Sequence, residues 1–173
     1  DTAEYWDATA AVTVDLANFS ATGGAGTDLL IGIENIYGSN YADTLIGDSN
    51  GNYINGQSGN DTITGGAGSD FLPIWSNNGD FSNDTVTDFQ AGSFGDRIAL
   101  PTHRFSNYTL GQNPFVSGHA RLTQSGANTL VEIDLDGSGP GGFQTALTLL
   151  NVTKSNLVAD NFTGNNDSQS YNP

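Results

Sequence analysis

The sequence predicts an all-β fold: a flattened, right-handed spiral of short parallel strands that is closed by antiparallel strands. Three observations lead to this prediction. A nine-residue period runs from Gly38 to Pro73, alternating segments rich in apolar residues lie on both sides of it, and no segment has the pattern of a long helix. A fixed period of this kind indicates units that bury their apolar faces only by stacking on one another.

The repeated units read GSNYADTLI, GDSNGNYIN, GQSGNDTIT and GGAGSDFLP. Each unit has glycine first, aspartate or asparagine sixth, and leucine or isoleucine eighth. Glycine tolerates the positive φ of sharp turns, so the first six residues predict a turn. The last three predict a short strand whose middle residue points inward. A glycine-rich linker with chance aspartates is the alternative, and the aliphatic residue at every eighth position disfavours it.

Two units would form one coil, so residues eighteen positions apart would stack. Leu45 would then lie over Ile63 and Ile54 over Leu72, while Asp43 would lie near Asp61 and Asn52 near Asp70. Carboxylates that face each other across stacked turns repel. A hard divalent cation between them removes the repulsion, and backbone carbonyls complete an oxygen cage.

These units resemble the GGxGxDxUx nonapeptide of RTX proteins, the calcium-binding parallel β-roll. The resemblance implies several Ca²⁺ ions, each held by the sixth-position side chains and alternate carbonyls of two stacked loops. It implies Gly38, Asn40 and Asp43 with Gln57, Gly59 and Asp61 at one site, Gly47, Ser49 and Asn52 with Gly66, Gly68 and Asp70 at a second, and Gly23, Ala25 and Asp28 with Ser39, Tyr41 and Asp43 at a third. Asn52 departs from the family's aspartate, so its site is expected to be weaker.

The elements before the repeats are expected to belong to the same roll. Asp1-Thr2 matches the sixth and seventh positions of a unit, which indicates further coils before it. Ala11 to Leu16 alternates and predicts a strand. The segment from Gly23 to Ile31 reads GGAGTDLLI and is expected to be a fifth repeat.

Pro73 and Trp75 are expected to end the regular repeats, because proline cannot donate to a strand ladder. The segment that follows is similar to the DF…GxDxIxL element that closes RTX blocks, with Asp88-Phe89 and then Gly95-Asp96-Arg97-Ile98. This resemblance implies a last calcium site with Asp84, Asp88 and Asp96. The alternative is that Arg97 pairs with a neighbouring carboxylate.

The domain boundaries follow from composition. Residues 1–100 are expected to form the roll, with a first strand and a closing element. Residues 101–163 have longer strands and fewer aspartates, and predict an antiparallel β cap that includes the type I secretion region. A turn at Asp136 to Gly139 would join two of the cap strands. Residues 164–173 are polar and are expected to be a disordered tail.

Charge and composition restrict the function. The net charge is −15, and no lysine or arginine precedes Arg97, so the first half is either disordered or neutralised by bound cations. Nucleic acid is excluded as a partner because phosphate contacts need basic residues. The absence of cysteine excludes disulfides and thiolate metal sites. No apolar stretch is long enough for a membrane span.

The resemblance implies a non-catalytic module of a larger secreted bacterial protein of Gram-negative type, an adhesin or an enzyme. It would be exported by a type I exporter through an uncleaved C-terminal signal, fold on binding Ca²⁺ outside the cell, and stabilise or present the part upstream. The alternative is a polysaccharide-binding accessory module of an extracellular enzyme such as an alginate epimerase, because Tyr53 and Phe71 occupy outward seventh positions. The two histidines, His103 and His119, show no zinc-ligand or catalytic spacing.

Overall fold

The computed structural model describes residues 1–74, 81–137, 142–164 and 170–173. In these residues the chain forms fifteen short strands and three 3-10 helices, at Thr102–Arg104, Lys154–Asn156 and Ala159–Asn161. The strands are β1 (Thr2–Glu4), β2 (Val12–Asp15), β3 (Ser20–Gly23), β4 (Gly26–Leu29), β5 (Asn35–Tyr37), β6 (Thr44–Ile46), β7 (Tyr53–Asn55), β8 (Thr62–Thr64), β9 (Phe71–Pro73), β10 (Asp84–Val86), β11 (Arg97–Leu100), β12 (Ala120–Ser125), β13 (Asn128–Ile133), β14 (Gln144–Leu149) and β15 (Phe162–Gly164).

The strands form two sheets, and consecutive repeats alternate between them. Sheet A has six parallel strands in the order β1-β5-β7-β9-β11-β15. Sheet B has nine strands in the order β12-β13-β14-β10-β8-β6-β2-β3-β4. Its central strands from β14 to β2 are parallel, and an antiparallel pair of strands extends each end. The prediction of a parallel β-roll with antiparallel strands is confirmed.

The predicted register is also confirmed. Leu45 pairs with Ile63 between β6 and β8, and Tyr53 pairs with Phe71 between β7 and β9. The eighth-position residues Leu45, Ile54, Ile63 and Leu72 are at most 2% exposed and form the core between the sheets. Ile36, Val86, Ile98, Leu147 and Phe162 continue this core through the strands before and after the repeats.

The expectation of a fifth repeat at Gly23 to Ile31 is wrong. This segment contributes to β3 and β4, which pair antiparallel with each other beside β2. Gly23 and Gly26 have φ of 119° and 100° and flank a tight hairpin turn. Glycines at these positions suit a hairpin as well as a repeat loop, so the sequence pattern alone does not distinguish the two structures.

The two sheets continue beyond Pro73, but the regular spacing ends there as expected, since the next ladder bond joins residues 26 positions apart instead of 18. Pro73 is the last residue of β9, where it lies opposite Ala99, and the backbone N–H of Ile74 bonds to the Ala99 carbonyl 3.2 Å away. A proline at a strand end removes only one ladder donor, so β10 and β11 add to the two sheets without a break. Trp75 lies outside the described residues.

The C-terminal strands combine the predicted antiparallel arrangement with further growth of the roll. β12, β13 and β14 pair antiparallel as expected, but β14 also pairs parallel with β10, and β15 pairs parallel with β11. The expected turn from Asp136 to Gly139 extends outside the described residues. The expectation of a disordered tail fails at its end, because Ser170 bridges to Thr163 and Tyr171 is only 2% exposed.

Candidate calcium-binding loops

The sixth-position residues form two ladders of hydrogen bonds, one along each side of the roll. In the first, the Asp43 backbone N–H donates to Asp61 Oδ1 at 2.7 Å, and that of Asp61 donates to Asp84 Oδ1 at 3.0 Å. In the second, the Asn52 backbone N–H donates to Asp70 Oδ1 at 2.8 Å, and that of Asp70 donates to Asp96 Oδ1 at 3.0 Å. One oxygen of each acceptor carboxylate is therefore used to hold the preceding coil.

The ladder carboxylates are buried close to one another. Asp43, Asp61, Asp70 and Asp96 are at most 2% exposed. Burial raises the pKa of Asp61 to about 8, with a further contribution from the charges of Asp84 and Asp43. Burial also raises the pKa of Asp70 to about 6 and that of Asp84 to about 7. A row of buried, mutually repelling carboxylates favours any bound cation that replaces the lost hydration.

Among the residues that the structure describes, two carboxylate oxygens lack the partner that burial normally requires. Asp61 Oδ2 and Asp70 Oδ2 are buried, and neither has a hydrogen-bond partner. A buried, unpaired anionic oxygen costs several kcal/mol unless a cation or donor satisfies it. Hard oxygen ligands of this kind fit Ca²⁺, so the residues present suit the ion that the resemblance implies.

The first glycine of each unit makes room for this free oxygen. A Cβ at Gly56 would lie 2.0 Å from Asp61 Oδ2, and a Cβ at Gly65 would lie 2.2 Å from Asp70 Oδ2. Any larger residue at the first position would therefore fill the space beside the free oxygen. The glycine and the aspartate of the repeat form one cradle.

The loops of the first two expected sites stack as predicted. A Cβ at Gly59 would lie 2.5 Å from the Tyr41 carbonyl, and Cβ atoms at Gly66 and Gly68 would approach the carbonyls of Asp48 and Asn50 at 2.0 and 2.7 Å. The lower loops reach this close contact through positive φ values, which are 69° at Gln57, 111° at Gly59, 94° at Gly66 and 114° at Gly68. The loop with Gly38, Asn40 and Asp43 therefore stacks on the loop with Gln57, Gly59 and Asp61. The loop with Gly47, Ser49 and Asn52 stacks on the loop with Gly66, Gly68 and Asp70.

The third expected site is not assembled. Asp28 lies on the exposed strand β4 and accepts a hydrogen bond of 3.0 Å from the Tyr5 hydroxyl. Asp43 instead accepts from the backbone N–H of Val12 at 2.8 Å, so the start of β2 takes the place of the missing loop. Ser39 also donates to both oxygens of Asp43. The hairpin therefore separates Gly23 and Ala25 from the ligands expected opposite them, which include Tyr41.

The last expected site is divided between the ladders. Asp84 belongs to the first ladder and Asp96 to the second. Asp88 accepts from the backbone N–H groups of Gly65 and Gly66 at 2.8 and 2.9 Å, on the side of Asp96. In the described parts of the chain, no three acidic or histidine side chains converge as a metal cluster. Asp88 and Asp96 therefore lie on the same side of the roll as Asp70 without forming a cluster with it, and Asp84 lies on the side of Asp61.

The side-chain amide of Asn52 both accepts and donates a hydrogen bond. Its Oδ1 accepts from the Asp48 backbone N–H at 2.8 Å, and its Nδ2 donates to the Glu34 carbonyl at 2.9 Å. Asn161 directly precedes β15, the last strand of sheet A, as Asn52 precedes β7 of the same sheet. It is 0% exposed, and its side chain donates to the Asp96 carbonyl at 2.8 Å. Sequence reasoning did not identify Asn161, although it directly precedes a strand as the sixth-position residues do.

The side chains considered for other functions have structural partners. The rings of Tyr53 and Phe71 stack on each other at 5.6 Å between centroids, and Arg97 lies over Phe71 at 5.9 Å. The ring faces are turned toward each other along the strand ladder, which stabilises sheet A. Buried His119 stacks on Phe105 and bonds to Ser117 and the Ser106 carbonyl, each at 2.9 Å.

The comparison with protein families decides what the repeats are. Residues 37–72 match the family of the RTX calcium-binding nonapeptide repeat, in four copies. These residues are RTX nonapeptide repeats. The match covers the loops in which the free oxygens of Asp61 and Asp70 lie. The RTX repeat is a calcium-binding element, and the matched repeats form a non-catalytic module.

Solved structures that match this chain include two subunits of one epimerase. The AlgE6R2 subunit of the Azotobacter vinelandii mannuronan C5-epimerase matches with a TM-score of 0.52 and 20% identity, over 94% of this chain and 91% of that one. The AlgE6R3 subunit of the same epimerase matches with a TM-score of 0.31 and 23% identity, over 78% of this chain and 80% of that one. The first likeness shows the fold that the RTX repeats adopt here. The comparison with curated protein sequences found no match.

Among the described residues, no helix has the length and apolar character that a membrane span requires.

Proposed function

We propose that this RTX module folds when it binds Ca²⁺ and thereby stabilises or presents the upstream part of a larger extracellular protein. The observation that carries the proposal is the pair of buried, unpartnered oxygens, Asp61 Oδ2 and Asp70 Oδ2. They lie in stacked loops whose backbone approaches closely and whose remaining carboxylate oxygens hold the coils together. A cation there would coordinate the free oxygens and would offset the repulsion between the carboxylates along the ladders.

The ligands would come from the loops that the structure brings together. Asp61 would bind one Ca²⁺ ion together with the loop that contains Asp43. Asp70 would bind another together with the loop that contains Asn52. Alternate carbonyls such as those of Gly59 and Gly68 would complete the oxygen set. Asp88 and Asp96 would add to the ion nearest Asp70, because their charges already act on that carboxyl and raise its pKa.

The energetics couple binding to folding. Extracellular calcium modules bind with dissociation constants of about 10⁻⁴ to 10⁻³ M, and ligand at ten times Kd stabilises the folded state by about 1.4 kcal/mol per site. Without cations, the ladder carboxylates oppose folding, since burial raises the pKa values of Asp43, Asp61, Asp70, Asp84 and Asp96. Several bound ions would thus shift a chain of marginal stability from unfolded to folded.

This coupling suits export. In cytosol the scarcity of calcium would leave the acidic first half open, as passage through a type I exporter requires. In the calcium-rich space outside a Gram-negative cell the roll would fold. The upstream part of the same protein would then be attached to a rigid β-roll, either free in the medium or at the cell surface.

A calcium titration followed by circular dichroism tests the proposal. We expect a cooperative gain of β signal near millimolar Ca²⁺, no such transition with Mg²⁺, and its reversal by chelator. Mg²⁺ is the appropriate control because it demands a smaller octahedral site and keeps its waters. A β signal of full size in chelator would overturn the proposal that folding depends on calcium.

A further inference from the structure

Sheet B ends in two different exposed surfaces, one at each edge. At the β4 edge, Leu29 and Ile31 are each 74% exposed and Phe19 is 55% exposed. We call these three residues the apolar tip. Leu29 and Ile31 flank the buried Leu30, so both point away from the core. Three large apolar side chains in one exposed hairpin form a patch of the kind that marks an interaction site.

The opposite edge of the same sheet has a cleft beside β12. It has a volume of about 390 Å³, and its apolar lining consists of Phe115, Ala120, Leu122, Leu157 and Pro173. Arg121 and Lys154 also line it. We call it the C-terminal cleft. Most of its lining is apolar, as the tip is.

The charges of the two ends are also complementary. Asp28 is exposed beside the tip, and residues 1–96 contain no lysine or arginine. The cleft has two of the four cationic residues of the whole chain. Arg121 is bound to Glu132 at 2.9 Å, but no carboxylate of the described residues is paired with the exposed Lys154. Lys154 Nζ donates instead to the Leu122 carbonyl, 3.4 Å away, so its charge stays beside the cleft.

From these observations we infer that the apolar tip of one copy binds the C-terminal cleft of a second copy. The partner is a second copy because one end supplies the apolar, acidic surface and the other supplies the apolar, cationic cleft that fits it. Both surfaces lie at the edges of one nine-stranded sheet, so the contact is head-to-tail and leaves one tip and one cleft free. The modules would therefore associate in open-ended rows with the sheets in series.

Two variants separate the surfaces without touching the buried ladders. The tip variant combines Leu29→Asp with Ile31→Asp, both at exposed positions. The cleft variant combines Lys154→Glu with Ser155→Glu, which are also exposed and line the cleft. Phe94→Asp is the matched control, because Phe94 is 95% exposed but lies outside both surfaces. Circular dichroism in calcium verifies that each variant is folded.

Sedimentation velocity in calcium then measures association as the protein concentration rises. We expect the wild type and Phe94→Asp to associate beyond dimers, and each of the other two variants to lose at least tenfold in association constant. A mixture of the tip and cleft variants should form a dimer with one copy of each and nothing larger, since only one intact tip and one intact cleft remain. A folded wild type that is monomeric up to about 1 mM would overturn the inference. So would a mixture that forms no dimer while the wild type associates.

Discussion

Replacing Asp61 with asparagine should have opposite effects with and without calcium. Asparagine has the same shape and keeps an oxygen that accepts from the Asp43 backbone, but it has no charge. At pH 7 the metal-free fold holds Asp61 protonated, because burial raises its pKa to about 8 from 3.8, whereas the unfolded chain holds it ionised. Each tenfold change in acid dissociation is worth about 1.4 kcal/mol, so this difference opposes folding by up to about 4 kcal/mol.

Asp61→Asn removes that opposition, so the metal-free protein should become more stable by about 2–4 kcal/mol at pH 7. In calcium the same change removes one anionic ligand, and affinity should fall at least tenfold, or about 1.4 kcal/mol. The β signal in chelator and the midpoint of a calcium titration measure the two effects. Asp7→Asn, at an exposed position, is the control and should change neither. A variant that binds calcium as tightly as the wild type, or that shows no more β signal in chelator than the wild type, would refute the reasoning.

Four further predictions follow from the same geometry. Gly66→Ala should destabilise the roll by about 2 kcal/mol more than Gly26→Ala, which is roughly the cost of a core clash. Both glycines have positive φ, but only Gly66 has a backbone oxygen 2.0 Å from the added Cβ. Urea denaturation in calcium measures the free energies of unfolding of the two variants. Asn52→Asp should strengthen calcium binding by isothermal titration calorimetry and weaken the metal-free fold, and an unchanged affinity would remove that loop from the site. Leu45→Ala should cost about 2–5 kcal/mol in calcium because Leu45 is 0% exposed, and a loss under 1 kcal/mol would contradict its place in the core. In chelator, the free energy of unfolding should fall as pH rises from about 4 to 8. The ladder carboxyls have raised pKa values in the folded state, so the folded state binds more protons than the unfolded state over this range. Saturating calcium should abolish this dependence on pH.

The repeats were predictable from the sequence because each slot has its own physical role. The glycine at Gly56 and the aspartate at Asp61 form one cradle, and the spacing of Leu45 and Ile63 sets the register between coils. Local pattern and long-range stacking therefore agree from Gly38 to Pro73. The pairing of Asp43 with Asp61, and of Asn52 with Asp70, follows from the same period.

The regions beside the repeats were less predictable, since the same residue types serve different structures there. Gly23 and Gly26 suit a hairpin turn as well as a repeat loop, and only the pairing of β3 with β4 decides between them. Pro73 was expected to end the regular repeats, and the sequence did not show that it also serves as the last residue of a strand that pairs with β11. Asn161 closes the second ladder from a site far along the chain, and no period connects it to Asp96. Contacts between distant segments such as these leave no regular signal in one sequence.

The most direct test of the central claim is a crystal structure of the calcium-bound module with anomalous diffraction to locate the ions. The account predicts calcium peaks about 2.3–2.6 Å from Asp61 Oδ2 and from Asp70 Oδ2, the two buried oxygens that have no other partner. Calcium peaks confined to exposed carboxylates such as Asp28, with none at these two oxygens, would contradict it.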